Sequence, residues 1–474
     1  MKRSNIRAGK GIILTSFLLL FITACMTYYE KTQKFQDYIQ MGEMDKAEKL
    51  LADDKKAAEG KNRFLYFVNN GWINWITDQH QQSNAHFQDA DIYIEDYHKQ
   101  AGMEALSLIT NPSVKPYQPE DFEKVFVNYF KALNYLVLGK HDDALVECRR
   151  INIKLNELND QYKDHKNRYQ NDAFAHLVMG LIYESGKDWN NAFIAYRNAY
   201  DVYKKSYAEN FNVDAPQQLK MDILRTAYLT GFNDEVRYYE KEFGIDYQYE
   251  QHDGGTLVFL WQNGFGPVKS EWSINFTKVD GKGGWITFVN DEMGLSFPFF
   301  IGDKPDEEKS AFASLSFLRV AFPKYLEREP LYQNGKLIIN NNKGIELELA
   351  ENVNAIAFKT LQDRMIREMA NSLLRLATKK ALEKITRDQN QDIGAALGIV
   401  NALTEKADTR NWQTLPFEVF YQKVYLPEGQ HNVELQLSGH REARSHSFTF
   451  DIQKGKTAFF TFQSIESLPP AERR

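Results

Sequence analysis

Cysteine is almost absent from this 474-residue chain, which has only Cys25 and Cys148. No Cys-x-x-Cys pair exists, which excludes a zinc finger, a thioredoxin-type centre and a disulfide framework. Proline is scarce at 13 residues, and three of these crowd into the stretch Asn111-Pro112-Ser113-Val114-Lys115-Pro116-Tyr117-Gln118-Pro119, which must interrupt any helix there. Phosphate-cradling Gly-x-x-x-x-Gly-Lys, dinucleotide and Gly-x-Ser-x-Gly motifs are missing. His80/His86 and His440/His446 are spaced six apart, not the four of a helical zinc site. No metal, no cofactor and no enzymatic activity are therefore expected. The net charge is −6, of which the first 24 residues contribute +4, leaving the rest at −10. Such an acidic body lacks the Lys/Arg excess that nucleic-acid phosphates require, so no nucleic-acid partner is expected.

What is present begins at the N-terminus. Lys2, Arg3, Arg7 and Lys10 precede an apolar run over residues 12–22. That run is shorter than the ~20 residues needed to span a bilayer but suits a signal-peptide core. It ends in Ile22-Thr23-Ala24-Cys25, which resembles the lipobox of bacterial lipoproteins. The resemblance implies cleavage before Cys25, lipid on its thiol, and a membrane partner reached through acyl chains. The alternatives are a secretory leader with a chance cysteine and an uncleaved anchor. Met26 in place of Asp, and no acidic cluster in Met26–Glu30, predict an outer-membrane protein facing the periplasm. With Cys25 lipidated, Cys148 has no disulfide partner. Beside Ala144 and Ile151 it reads as a small buried hydrophobe.

From about residue 30 to 245 the apolar period is helical. In His176–Ala199, small residues at Gly180 and Ala192 are twelve apart and Tyr196 follows four later. This resembles the tetratricopeptide repeat (TPR), where a small residue in one helix lets the next approach and an aromatic fills the gap. Related sets are Ala132, Tyr135, Gly139, Ala144 and Cys148; Tyr38, Gly42, Ala47 and Leu51; Gly71, Phe87 and Ala90; and Leu224, Ala227, Gly231 and Val236. Gly42, Gly139 and Gly231 fall where the inter-helix turn needs φ > 0, and Asp142, Asp143 and Asp188 suit helix starts. Such an array is expected to take protein partners on its concave face, because each repeat contacts only its neighbours and the stack curves.

After Gly254-Gly255 the period alternates. Strands are expected at 256–261, 272–277, 285–289, 296–300, 317–322, 417–425, 433–437, 447–452 and 457–462, with a hairpin pairing 336–339 and 345–349. Phe358, Leu361, Met365, Met369, Leu373 and Leu376 mark an inserted helix, and a small apolar helix is expected over 393–403. Pro427-x-Gly429-x-His431 with its flanking strands resembles PEGA-like β-sandwich modules of bacterial envelopes.

The reading is therefore a multidomain α + β chain. It comprises a leader (1–24), a TPR-like α-solenoid (25–248), and a β-rich domain (249–474) with a helical insertion at 355–405. The lipobox, the repeat half and the segments 263–271 (NGFGPVKSE) and 407–416 (ADTRNWQTLP) together resemble a family of bacterial TPR-containing lipoproteins without an assigned activity. That resemblance implies a membrane-anchored scaffold for envelope proteins. The alternative is a module binding glycan, peptidoglycan or lipid through Trp272 and Trp412. Within the two segments, Lys269, Glu271, Asp408 and Arg410 are the candidate site charges, either as an internal ion pair or as ligand contacts.

Overall fold

A computed structural model describes residues 27–101, 115–160, 168–389 and 406–473, apart from 341 and 343. The leader, Cys25, Asn111–Val114 and the expected helix at 393–403 lie outside the described residues.

The first half is a succession of helical hairpins. They are α1 (Gln33–Gln40) with α2 (Met44–Asp53), α3 (Arg63–Ile76) with α4 (His80–Ala101), and α5 (Asp121–Val137) with α6 (His141–Asp160). Then come α7 (Ala173–Ser185) with α8 (Trp189–Val202), and α9 (Gln217–Thr230) with α10 (Asn233–Phe243). The expected turn glycines hold left-handed backbone: Gly42 at φ 73°, Gly139 at 69° and Gly231 at 82°. Asp188 caps α8 by accepting from the Asn191 N–H at 3.2 Å.

The TPR-like packing rests on a recurring pair sixteen residues apart. A Cβ built on Gly180 would enter the Tyr196 ring, and one on Gly71 would lie 2.8 Å from Phe87 Cε1. At the equivalent places Ala132 and Cys148 are both buried. Bulk on the second helix therefore requires its absence on the first.

The second half holds three four-stranded sheets. Their strands are β1 (Gly254–Asn263), β2 (Val268–Asp280), β3 (Trp285–Asn290), β4 (Leu295–Phe300), β5 (Phe317–Leu326) and β6 (Tyr332–Ile339). They continue with β7 (Ile345–Glu346), β8 (Glu348–Glu351), β9 (Glu418–Pro427), β10 (Gly429–Gly439), β11 (Arg444–Ile452) and β12 (Thr457–Ser464). Strand orders are β12-β1-β9-β8, β11-β10-β6-β7 and β4-β3-β2-β5. The first two stack as a sandwich. Leu257, Phe259, Trp261 and Phe420 of one meet Leu337, Val433, Leu435 and Leu437 of the other. The opposite face of the first sheet, with Val258, Leu260, Val419 and Tyr421, joins the core of the helical half. That explains why β1 is almost continuously apolar: both its faces are covered.

The third sheet packs Ile274, Phe276, Phe288 and Val320 against Met369, Leu373 and Leu376 of the long helix α12 (Val353–Gln389), with the short helix α11 (Asp306–Ala313) beside them. The helix starts ahead of its expected first apolar residue because the Asn352 side chain accepts from the Ala355 N–H at 2.7 Å.

One expectation is corrected. The hairpin at 336–349 extends only to Lys336↔Glu346 and Leu337↔Ile345. Beyond buried Leu347 the chain crosses to the other sheet, where Glu348 pairs with Tyr421. The Pro427-x-Gly429-x-His431 turn carries the chain between sheets, from β9 to β10. Gly429, at φ 123°, makes the corner, and His431 Nε2 lies 2.8 Å from the Pro427 carbonyl.

Candidate functional site

The first helix of each central hairpin is buried almost all round. Along α3 every residue from Phe67 to Trp75 is buried, and along α5 every residue from Phe122 to Asn134. The second helices bury a single stripe: Ala144, Cys148, Ile151 and Leu155 along α6, and Ala192, Tyr196 and Ala199 along α8. A helix wrapped on every side needs cover beyond its own hairpin, and the C-terminal half supplies it. Trp72 packs against Phe265 with tilted rings 5.7 Å apart between centroids, and its indole N–H donates to Gln463 at 2.9 Å. Tyr203 donates to the Ala350 carbonyl at 2.7 Å from a π-helical turn, Tyr203–Tyr207. The outward side of these first helices is thus filled by the chain's own β half.

The candidate residues gather around this joint. Trp412 is buried, with its ring 5.6 Å from Phe130, 5.8 Å from Phe87 and 6.4 Å from Phe64. Its backbone N–H donates to Glu123 at 2.6 Å and its indole N–H to Thr414 at 2.8 Å. It fills a gap between helices and presents no face for a glycan. Lys269 is equally buried, and its ammonium pairs with Glu120 at the start of α5. Glu120 also accepts from Arg364 of α12 at 2.5 Å. Burial disfavours the Glu120 charge, but Arg364 and Lys269 together hold its carboxyl below the usual range. Neighbouring Glu123 has the opposite fate. Burial pushes it up to about 7 against the attraction of Lys269, and the Glu120 charge adds to the rise.

Arg410 and Asp408 form a fork, at 2.8 and 2.6 Å, and Arg410 also donates to the Lys61 carbonyl and Asn62 at 3.2 Å. Of the two expected charge pairs, one forms and one is split. Asp408 and Arg410 hold each other, while Lys269 and Glu271 do not meet. Glu271 instead accepts from the Ala407 N–H at 2.7 Å. Trp272 lies cross-strand from Phe322, half-buried, with its indole nitrogen buried and without a partner.

Several central residues carry no local sequence signal. Arg328 is fully buried without a carboxylate. It donates to the Gly266 carbonyl at 2.7 Å, to the Gln413 carbonyl and to Gln36 at 3.4 Å, over the Phe265 ring. Lys423 of β9 reaches Glu184 at 3.0 Å and also Asp222, carboxylates on α7 and α9. These partners are more than 50 residues apart in sequence, and only the fold brings them together.

Beside the joint, Glu271 and Ser273 of β2, Arg319 of the edge strand β5, Leu376 and Lys380 of α12, and Lys406 line an open cleft of about 600 Å³. Arg319 faces Glu271 across it, and Lys380 is itself paired with Glu383 at 3.1 Å. A second opening of about 500 Å³ is flanked by Asp280, Trp285 and Lys309. There Trp285 is 46% exposed and paired with Phe300 at 5.2 Å. Among the described residues no group of three or more His, Cys, Asp or Glu is arranged to hold a metal. Burial pushes the Cys148 thiol far above its ordinary range, the environment of an unreactive thiol.

No family model matches this chain, and no curated protein is similar to it. Among solved structures it is similar to MamA, at 15% identity and TM-score 0.28, over 46% of this chain and 92% of that one. It is also similar to a tetratricopeptide repeat protein from Parabacteroides merdae, at 17% identity and TM-score 0.29, over 46% of this chain and 68% of that one.

Proposed function

We propose that the chain is a lipid-anchored scaffold of the bacterial cell envelope, tethered through Cys25 at the periplasmic face of the outer membrane. Its protein partners engage surfaces other than the first-helix face of the repeats. The observation behind this reading is the filled joint: a helical-repeat half whose inner helices are spent on holding its own β half. What remains for partners is the outer helices and the sheet β4-β3-β2-β5, with the cleft of Arg319 and Lys380. The test is crosslinking in cells followed by purification from detergent-solubilised envelopes. A specific envelope protein should be recovered with wild type, lost with Arg319→Glu/Lys380→Glu, and kept with Lys454→Glu. Recovery of the same proteins with all three would count against the cleft, and a Cys25→Ser form that fractionates as wild type would count against the anchor.

A glycan-binding reading has one observation in its favour, the exposed Trp285–Phe300 pair beside Asp280 and Lys309. An indole face with polar groups at its edge is the chemistry that stacks on a sugar ring. Sedimentation with purified cell wall, abolished by Trp285→Ala, would favour it over the protein-scaffold reading.

A further inference from the structure

We infer that strand β11 is a self-complementary edge on which a second copy of this chain pairs antiparallel, joining two β11-β10-β6-β7 sheets into one.

Strand β11 is nine residues long, lies at the edge of its sheet and is paired with β10 alone. Every second residue of such a strand turns its N–H and C=O away from the partner. Among the described residues, no backbone hydrogen bond outside the β10 ladder reaches Ser445–Asp451. Proteins blunt free edges by keeping them short, by placing proline or lysine on them, or by covering them. The other edges of this chain follow that rule. Strand β7 has two residues and β8 four, β4 carries Pro298 and β5 carries Pro323. Strand β12 rests on helices through Gln463 with Trp72 and Phe459 with His141. Strand β11 has neither proline nor lysine.

The faces of β11 define its occupant. Ser445, Ser447, Thr449 and Asp451 are exposed on one face. On the other, His446, Phe448 and Phe450 are half-buried and meet Phe460 and Phe462 of β12 across the side of the sandwich, with Phe448 and Phe460 4.8 Å apart. The opposite side is closed by the chain itself, which crosses between the sheets at buried Leu347. The occupant is therefore an extended strand, polar on one face and aromatic on the other. A second β11 is such a strand. Run antiparallel, two copies overlap over all nine residues when Phe448 lies on the two-fold axis. Ser447 then faces Thr449, Ser445 faces Asp451, and His446 faces Phe450. Polar side chains meet polar ones, rings meet rings, and no like charges are opposed. The strand's two charges differ in sign, so the Arg444 end of one copy lies against the Asp451 end of the other, while Arg444 also holds Glu466.

The test uses the full-length chain carrying Ser447→Cys/Thr449→Cys, oxidised with copper phenanthroline in intact envelopes and again after purification in detergent. Facing residues have Cα atoms about 4.5–5.5 Å apart, inside the range of about 4.4–6.8 Å that a disulfide spans. In Ser445→Cys/Ser447→Cys the nearest cysteines of two copies lie on the diagonal, about 7–8 Å apart. The first variant should give about fivefold or more disulfide-linked dimer than the second or wild type, whose own cysteines set the background. Peptide mapping of the dimer should join position 447 of one copy to position 449 of the other. Ser447→Lys/Thr449→Lys opposes lysines at both places and should bring the protein mass by light scattering down to about half, with unchanged circular dichroism. Equal dimer from the two cysteine pairs, or none above wild type, overturns the inference. So does a lysine variant that keeps the wild-type mass, or a linkage of position 447 or 449 to a different protein.

Discussion

The backbone N–H of Trp412 donates to the carboxylate of Glu123 at 2.6 Å, across 289 positions of sequence. A loop of the C-terminal half is thereby threaded onto the first turn of α5, with the indole among Phe64, Phe87 and Phe130. Trp412→Ala should leave a void at that place and cost about 3–5 kcal/mol. Urea unfolding monitored by circular dichroism gives the value, and a cost below 1 kcal/mol would mean that the ring does not fasten the halves.

Removing one member of a buried ion group is more damaging than its net contribution suggests, because the partner stays behind uncompensated. Lys269→Ala leaves Glu120 with Arg364 alone. A loss of about 2–3 kcal/mol is expected, at the low end for buried pairs because one cation remains. The double variant Lys269→Met/Glu120→Gln should recover most of it in the same denaturation assay.

Burial pushes Glu418 up to about 7, and the Glu327 charge adds to the shift. A carboxyl whose folded pKa lies above its unfolded value near 4.5 contributes stability at low pH and loses it as pH rises through about 7. Glu418→Gln should therefore leave stability at pH 4.5 nearly unchanged. At pH 8 it should raise stability by about 2 kcal/mol, somewhat less than the full shift implies because the side chain keeps some solvent contact. A wild-type-like difference between the two pH values would refute the assignment.

The sixteen-residue pair should behave as a steric unit. Gly180→Ala forces a methyl into the Tyr196 ring and should cost about 1–3 kcal/mol. At Gly42, which has open space but φ 73°, alanine should cost about 1 kcal/mol through backbone strain alone. Thermal unfolding of the two variants separates crowding from conformation, and a Gly180→Ala protein as stable as wild type would contradict the packing.

Cys148 should resist alkylation in the native protein and react once urea has unfolded it, as peptide mass mapping would show. Rapid native labelling would mean that α5 and α6 separate readily.

What could be read in the sequence was what depends on near neighbours. Gly180 and Tyr196, or Gly139 and its turn, are related within a helical hairpin, so spacing reveals them. Alternation likewise reveals strands such as β10 and β11. What escaped depends on which surfaces meet. Trp412 looks the same in sequence whether it stacks on a ligand or fills a core, and burial decides. Glu120, Arg328 and Lys423 acquire their roles from partners brought in by sheet order. The covered first-helix face was hidden for the same reason. The amphipathic pattern shows that a face is apolar, but not that the occupant lies 200 residues downstream on the same chain.

The last strand, Thr457–Ser464, runs parallel to β1 at one edge of its sheet, with Gln463 bonded to Trp72. During synthesis the aromatic inner helices emerge first and wait for much of the remaining chain before they are sealed. A chain truncated before residue 457 would lose Gln463 and leave the Trp72 indole N–H without its acceptor, so the joint should open there first.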